Sequence, residues 1–349
     1  MENQDIFARL PGSLLPWYEE NRRDLPWRKD KDPYHIWVSE IMLQQTRVEA
    51  VKGYYARFLD VLPNVAALAD ADDELLHKLW EGLGYYSRVR NLKKAAMQIM
   101  ERHGGIFPKT HEEVFALAGI GPYTAGAICS IAYDLPTPAV DGNVLRVISR
   151  LTDDSTSIDK PAFRKAITES LSAVYPDRAG DFTQALMELG ATVCGPNRKP
   201  DCENCPCKTF CLGFARGTAE ELPVKKAKPQ RRIEEKTVLI LSCDGFYALH
   251  KRPDKGLLAG LWEFPNLSGK LELPAILEKV EEDGIIPKEI LRQVEKKHIF
   301  THIEWRMSGI YIEVKERTGQ YIWMDVAQIN AEAALPTAFR QFWEEIGYV

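Results

Sequence analysis

Apolar residues recur at helical spacing through the first part of the chain. Ile41-Met42-Leu43 through Val48, Leu75-Leu76 through Leu79, and Val144 through Leu151 each keep this rhythm, which puts them on one side of a helix. Short turns carrying Gly or Pro separate such stretches, as in Gly104-Gly105-Ile106-Phe107-Pro108. Strand-like alternation is scarce before about residue 215. Residues 1–217 are therefore predicted to form an all-helical domain.

The pattern then changes. Pro223-Val224-Lys225-Lys226-Ala227-Lys228-Pro229 is basic, flanked by proline and poor in apolar residues, so 218–236 reads as a linker. Beyond it, Thr237 to Leu241, Phe246 to Leu249 and Ile310 to Val314 read as strands. Stretches near Ile276 to Glu282 and Phe339 to Ile346 read as helices. Residues 237–349 are thus predicted to be a separate α+β domain. No internal repeat or low-complexity segment is visible.

Composition narrows this picture without changing it. The chain has 349 residues, of which 45% are hydrophobic and 27% charged, as in a globular protein with a sizeable core. A formal charge of −5 argues at first against a nucleic-acid partner, but local patches decide phosphate affinity. One such patch is visible, Lys225, Lys226, Lys228, Arg231 and Arg232, and it reads first as a solvated linker. The acidic opening Met1-Glu2-Asn3-Gln4-Asp5 has no apolar run behind it, which predicts no signal peptide. No uncharged apolar stretch is long enough for a bilayer. An intracellular protein (cytoplasm or nucleoid in a bacterium), with no membrane partner and monomeric, is expected.

Five of the seven cysteines crowd into one segment, with Cys129 and Cys243 standing apart. The spacing is Cys194-x7-Cys202-x2-Cys205-x5-Cys211. In a reducing compartment such a cluster binds metal more often than it forms disulfides. Four thiolates suit an iron–sulfur core or a zinc ion, and spacing alone does not separate the two. Cys207 is the spare.

Leu117-Ala118-Gly119-Ile120-Gly121-Pro122-Tyr123 lies between two apolar helical stretches. Gly119 and Gly121 permit a tight hairpin and a close approach of backbone to a partner, and the N–H groups opening the next helix suit a phosphate. Two acids are also set apart by their surroundings. Glu40, in Val38-Ser39-Glu40-Ile41-Met42-Leu43-Gln44-Gln45-Thr46, has apolar neighbours, which favour a raised pKa. Asp141, in Val140-Asp141-Gly142-Asn143-Val144, stands at a predicted helix start, which favours the anion.

Taken together, the cysteine cluster and the Gly-x-Gly hairpin resemble the endonuclease III superfamily of helix–hairpin–helix DNA glycosylases, over about Leu15 to Cys211. Ser-Glu-(apolar)3-Gln-Gln-Thr and Val-Asp-Gly-Asn-Val resemble, more narrowly, the MutY family of adenine DNA glycosylases. The resemblance implies a [4Fe–4S] cluster on Cys194, Cys202, Cys205 and Cys211. The family's first cysteine gap is one residue shorter, and its loop, which holds Arg198 and Lys199 here, touches DNA backbone. It implies that Glu40 and Asp141 perform acid-catalysed cleavage of the glycosidic bond, with Tyr123 and Asn143 beside them. Strand-cleaving members carry Lys where this chain has Tyr123, so a monofunctional glycosylase is implied.

The same resemblance assigns other residues. Trp27 and Arg28, in Leu25-Pro26-Trp27-Arg28, would line the adenine pocket, with Gln184 on the base edge. Gln45 and Tyr85 would wedge into the base stack as the nucleotide flips out. Leu43, Thr46, Arg88, Gly119 and Gly121 complete the implied DNA contacts. Leu257 to Asn266 resembles the opening of a Nudix fold. Glu278, Glu281, Glu282 and Gly284 keep only part of the Nudix box, with Leu277 and Gly269 replacing key positions, so no hydrolase chemistry is expected there. Phe300-Thr301-His302 resembles the Phe-Ser-His loop that senses 8-oxoguanine. The implied partner is double-stranded DNA with an adenine:8-oxoguanine mispair. A bifunctional endonuclease III-like lyase and a non-catalytic DNA-damage binding protein are the alternatives.

Overall fold

The computed structural model describes residues 2–348 apart from Asn197 and Lys228. The chain divides into two compact units, residues 1–70 with 91–227, and residues 71–90 with 228–349. The first unit holds helices α1 (Glu2–Asn21), α2 (Pro33–Leu43), α3 (Val48–Val61) and α4 (Val65–Asp70). After α5 (Asp73–Leu79), which belongs to the second unit, come α6 (Ser87–His103) and α7 (His111–Phe115). Then follow α8 (Pro122–Tyr133), α9 (Gly142–Leu151), α10 (Pro161–Ser172), α11 (Ala179–Thr192) and α12 (Leu212–Ala215).

Helices α2 and α8 are buried nearly all round: every residue from Ile36 to Met42 and from Thr124 to Ile131 is buried. That is why they read as continuous apolar stretches rather than as one-sided ones. Around α9 the core gathers Val144, Val147, Ile148 and Leu151 with Leu10, Leu14 and Tyr18 of α1 and Phe182, Leu186 and Leu189 of α11. α8 follows a hairpin whose Gly119 has φ 74° and abuts Asn91, where an added Cβ would fall 2.5 Å from the Asn91 Cβ. Gly121 differs from expectation. It is the N-cap of α8 at an ordinary φ of −94°, with nothing crowding it, so its smallness keeps backbone open rather than bending it.

The second unit is built on a mixed sheet of β1 (Arg232–Cys243), β2 (Phe246–Lys251), β3 (Trp262–Glu263), β4 (Asn266–Ser268), β5 (Pro287–Ile299), β6 (Ile303–Val314) and β7 (Ile322–Asp325). The order is β3-β2-β1-β6-β5, with β4 also on β1 and β7 also on β2. The β1–β6 pair is parallel and the others are antiparallel. Helix α13 (Leu273–Glu282) covers one face, packing Ile276 and Val280 on Leu239 and Leu241. After α14 (Val326–Ala331), α15 (Thr337–Trp343) covers the other, packing Phe339 and Phe342 with Val238 and Ile240. A strand buried on both faces has no polar alternation, which is the origin of the apolar run in β1. Glu278, Glu281 and Glu282 lie exposed on α13.

Two boundaries differ from the sequence expectation. β1 begins at Arg232 inside the expected linker, because its first residues are solvent-facing and polar. The linker's Leu222 is buried, and Val224 accepts the Ile158 amide at 3.1 Å. Residues 71–90 pack with the C-terminal part of the chain. The Trp262 indole donates to Glu74 at 3.1 Å, the Leu335 amide donates to Glu81 at 2.9 Å and Arg90 donates to the Ala259 carbonyl at 3.0 Å. A cut at residue 217 would strip this segment of its partners. No helix among the described residues is long and apolar enough to cross a membrane.

Gly126, in the buried stretch of α8, lies under the Pro138 backbone, where an added Cβ would sit 2.2 Å from the carbonyl oxygen. Backbone cannot rotate away as a side chain would, so Gly126→Ala should destabilise the protein by about 3 kcal/mol, read as a lowered midpoint in chemical denaturation.

Candidate active site

Glu40 stands on α2 with 5% of its surface exposed. Its Oε2 accepts a 2.6 Å hydrogen bond from the Tyr123 hydroxyl, on the first turn of α8. Burial pushes the Glu40 carboxyl up to about 7, opposed by the Tyr123 hydrogen bond, raised further by Asp141 and lowered by Arg28. Tyr123 is also raised well above its ordinary value, by burial and by the two nearby carboxyls, so its phenol keeps its proton and donates.

Asp141 caps α9. Its Oδ1 accepts the Val144 amide at 2.8 Å and its Oδ2 accepts the Asn143 side-chain amide at 2.7 Å. Burial raises this carboxyl too, against the pull of these donors and of Arg146. Glu40 has the Tyr123 hydroxyl as donor, whereas Asp141 has donors of its own helix start and a guanidinium. Hydrogen bonds to the charged form favour that form, and Asp141 has more such donors than Glu40. Sequence reading expected a raised Glu40 from its apolar neighbours and an anionic Asp141 from the helix start. The structure adds Asn143, which accepts Arg146 at 2.9 Å and so turns its amide toward Asp141.

Around these acids lie Trp27, Arg28 and Gln184, named from the sequence, and Glu188, Arg23 and Met187, which were not. Glu188, four residues after Gln184 on α11, has no exposed side-chain surface and binds Arg23 at 2.6 Å and Arg28 at 2.8 Å. The Nε of Arg28 is buried without a hydrogen-bond partner among the described residues. Trp27 is buried edge-on against Tyr55 with ring centroids 5.5 Å apart. Gln184 is half-buried, its amide 3.3 Å from the Gly180 carbonyl. The Met187 sulfur lies 3.9 Å from the Tyr123 hydroxyl. The signal for Glu188 was helical spacing from Gln184, an acid on the same face.

The rim of this unit carries Leu43, Gln45 and Thr46. Leu43 ends α2, the Thr46 amide closes the turn on the Leu43 carbonyl at 3.3 Å, and Gln45 holds φ at 58°. Left-handed backbone is strained for a residue with a side chain, and here it turns Gln45 outward, exposed.

The cysteines surround a small cavity of about 20 Å³ lined by Cys194, Cys202, Cys205 and Cys211, with Arg150 in its wall. Arg150 donates to the Cys194 Sγ at 3.3 Å and Arg146 to the Cys194 carbonyl at 3.0 Å. Cys207 is fully buried in the apolar core. Among the described residues no three His, Cys, Asp or Glu side chains converge on a point fit for a single ion. Arg198 folds back onto the Thr192 carbonyl and Lys199 pairs with Glu220 at 3.6 Å. Asn197 of the same loop lies outside the described residues, as does Lys228 of the basic patch.

The second unit brings Tyr85 and the Phe300-Thr301-His302 turn to one cavity of about 430 Å³, also lined by Arg90, His298 and Thr337. The Tyr85 hydroxyl is 3.3 Å from the Thr301 hydroxyl. Tyr85 has φ 48°, follows the positive-φ glycines Gly82 and Gly84, and is 48% exposed. Arg88, expected to meet DNA, is instead buried. It donates to the Leu83 and Gly84 carbonyls at 3.0 Å each and stacks on Trp80 and Tyr85. It holds the turn from within because those carbonyls point inward.

Comparison with known proteins follows this geometry. The family model described as HhH-GPD superfamily base excision DNA repair protein matches residues 38–173, and that described as NUDIX domain matches 236–345. An adenine DNA glycosylase of Homo sapiens is 36% identical over 369 residues, 86% of this chain and 67% of its own. One from Buchnera aphidicola is 34% identical, covering 87% of this chain and 86% of its own. Among solved structures, a thermostable thymine-DNA glycosylase aligns with TM-score 0.55 and 28% identity over 61% of this chain and 97% of its own. A trapped endonuclease III–DNA intermediate, at 20% identity and TM-score 0.52, covers 62% of this chain and 98% of its own and shares the fold of the helical part.

The raised carboxyl has a consequence for stability. Glu40 binds its proton more tightly folded than unfolded, so its stabilising effect is complete below about pH 4.5, erodes as pH rises and is gone above about 7. Glu40→Gln has no proton to lose. Relative to the wild type the variant should gain up to about 3 kcal/mol between these limits, seen as a widening difference in melting temperature from pH 4.5 to 7.5.

Proposed function

From the premise that the chain belongs to the adenine DNA glycosylase family and is a base excision repair DNA glycosylase, we propose that it excises adenine paired with 8-oxoguanine or guanine in double-stranded DNA. The observation that carries this reading is the buried pair of unlike carboxyls, Glu40 raised to about 7 and Asp141 capped at the start of α9. Breaking an adenine–deoxyribose bond puts negative charge on the leaving base and positive charge on the sugar. Glu40 gives its proton to the departing adenine, and Asp141 faces the developing oxocarbenium ion as an anion. Water then adds to C1′ and its proton returns to Glu40, so the acid is restored.

Tyr123 and Asn143 keep the two acids in these states. A phenol cannot form a Schiff base with the sugar, which favours a glycosylase over a lyase. The adenine flips from the stack into the space beside Trp27, Arg28 and Gln184. The unpartnered Arg28 Nε–H is a donor for its edge. Gln45 and Tyr85 wedge the stack, with Leu43, Thr46, Gly119 and Gly121 against the backbone. Thr301, between Phe300 and His302, reads 8-oxoguanine from the cavity it shares with Tyr85. The protein works inside the cell, where its thiols stay reduced.

Cys194, Cys202, Cys205 and Cys211 fit a [4Fe–4S] cluster. All four line one small cavity, no single-ion site of three such ligands occurs among the described residues, and Arg150 offers a cation to the Cys194 sulfur. When bound, the cluster ties the 194–211 loop to α9 and α11 and supplies no step of the excision. Purified protein should be yellow-brown, with iron and sulfide in near-equal amounts. Stoichiometric zinc from an anaerobic preparation would overturn the assignment.

The activity test is single-turnover excision from a duplex holding adenine opposite 8-oxoguanine. The rate should fall as pH rises through about 7, as Glu40 loses its proton. Glu40→Gln should lower it by at least about a thousandfold while duplex affinity is kept. A wild-type rate in that variant removes Glu40 from the mechanism, and no turnover by the wild type leaves a binding protein.

A further inference from the structure

The tip that carries Phe300, Thr301 and His302 is the turn between β5 and β6, closed by the Phe300 amide on the Ile303 carbonyl at 2.8 Å. A turn at a strand end has few restraints of its own. This one rests on Trp305, which is 2% exposed. Phe300 meets the Trp305 ring edge-on with centroids 4.8 Å apart, and His298, opposite Trp305 across the ladder, meets Phe300 at 4.5 Å. The Lys236 ammonium lies 4.7 Å from the centre of the same indole. The indole N–H donates to Glu234 Oε2 at 2.8 Å, and Glu234 is the residue paired with Trp305 across the parallel β1–β6 ladder.

β1 also reaches the tip directly. The Arg232 amide donates to the His302 carbonyl at 3.0 Å and the Arg231 guanidinium to the Phe300 carbonyl at 3.2 Å. One cation of the basic stretch, Arg231, thus satisfies the tip's backbone, while the Arg232 guanidinium binds Glu234 through the carboxylate oxygen that the indole does not use. A ring packed only by dispersion can tilt within its pocket, whereas a directional N–H to a carboxylate fixes its rotation as well. With the indole fixed, the edge-on contact fixes Phe300, and Phe300 fixes the two residues that follow it.

We propose that Trp305 and Glu234 are positioning residues for lesion reading: their hydrogen bond sets the orientation of Phe300 and so the placement of Thr301 against the opposite base. This rests on the reading that the tip senses 8-oxoguanine. The variants are Trp305→Phe, which keeps an aromatic ring and loses the N–H, and Glu234→Gln, which keeps an acceptor oxygen and loses the charge. Thr301→Ala and Phe300→Ala alter the tip itself. The measurement is the ratio of duplex affinities for 8-oxoguanine:adenine over guanine:adenine in the full-length protein, taken well below each variant's melting temperature.

Trp305→Phe should reduce the ratio by about tenfold, the scale of one lost hydrogen bond to a charged group. Glu234→Gln should reduce it less, as partial rescue, and both should leave guanine:adenine affinity as in the wild type. A general loss of packing would instead weaken both duplexes together, and that outcome overturns the proposal. If the tip variants collapse the ratio while Trp305→Phe leaves it unchanged, the positioning role is wrong and the reading of the tip stands. If the tip variants leave the ratio unchanged, the reading itself fails.

Discussion

Two carboxyl groups share one dry interior, and they cannot both be ionised at modest cost. This constraint organises the helical unit. Glu40 comes from the middle of a helix buried all round, where solvent is absent and the proton is kept. Asp141 comes from the one position of a helix whose neighbouring amides are free to hold an anion. The difference in chemistry is a difference in place along a helix. Tyr123 then needs the first turn of α8 to reach Glu40, which requires the hairpin at Gly119 and the close passage of α8 under Pro138 at Gly126.

Buried cations follow the same logic. Arg28 and Arg23 share the unexposed Glu188. Arg146 and Arg150 spend their donors on the Gly190, Cys194, Gly195 and Leu222 carbonyls. Desolvated charges of this kind are weak stabilisers and strong constraints, since removing one partner strands the other. A formal charge of −5 sums the whole chain and says little about the site, whose arginines are held on Glu188 and on backbone carbonyls.

What was legible in the sequence depended on whether an apolar rhythm survived. α9 announced itself, because its apolar residues pack on α1 and α11 at helical spacing while Asp141 marks its start, although its polar side is buried too. β1 announced its centre through Val238 to Leu241 but not its first residues, which lie in solvent and read as linker. β5 went unread altogether. It is an edge strand whose exposed positions carry Lys and Glu, so no apolar rhythm survives. The allegiance of residues 71–90 was equally hidden, since it rests on Glu74, Glu81 and Arg90 reaching groups distant in sequence. Arg88, assigned to DNA by resemblance alone, lies buried on the Leu83 and Gly84 carbonyls, a placement that depends on the direction of the turn and leaves no mark in the sequence.

Strain marks the places where the chain presents side chains outward. Gln45 and Tyr85 both hold left-handed backbone, at φ 58° and 48°, at a cost of about 1–2 kcal/mol each. Neither is left to find that shape unaided. Gln45 follows the last turn of a buried helix and is closed by the Thr46 amide on Leu43. Tyr85 follows two glycines already at positive φ, Gly82 and Gly84, with Arg88 bonded to the carbonyls of Leu83 and Gly84. The cost is borne once, in folding, by packing that surrounds each turn. A side chain that enters a base stack from a flexible loop would lose its freedom at every encounter. One already fixed outward does not, and the wedging role proposed for Gln45 and Tyr85 would draw on that.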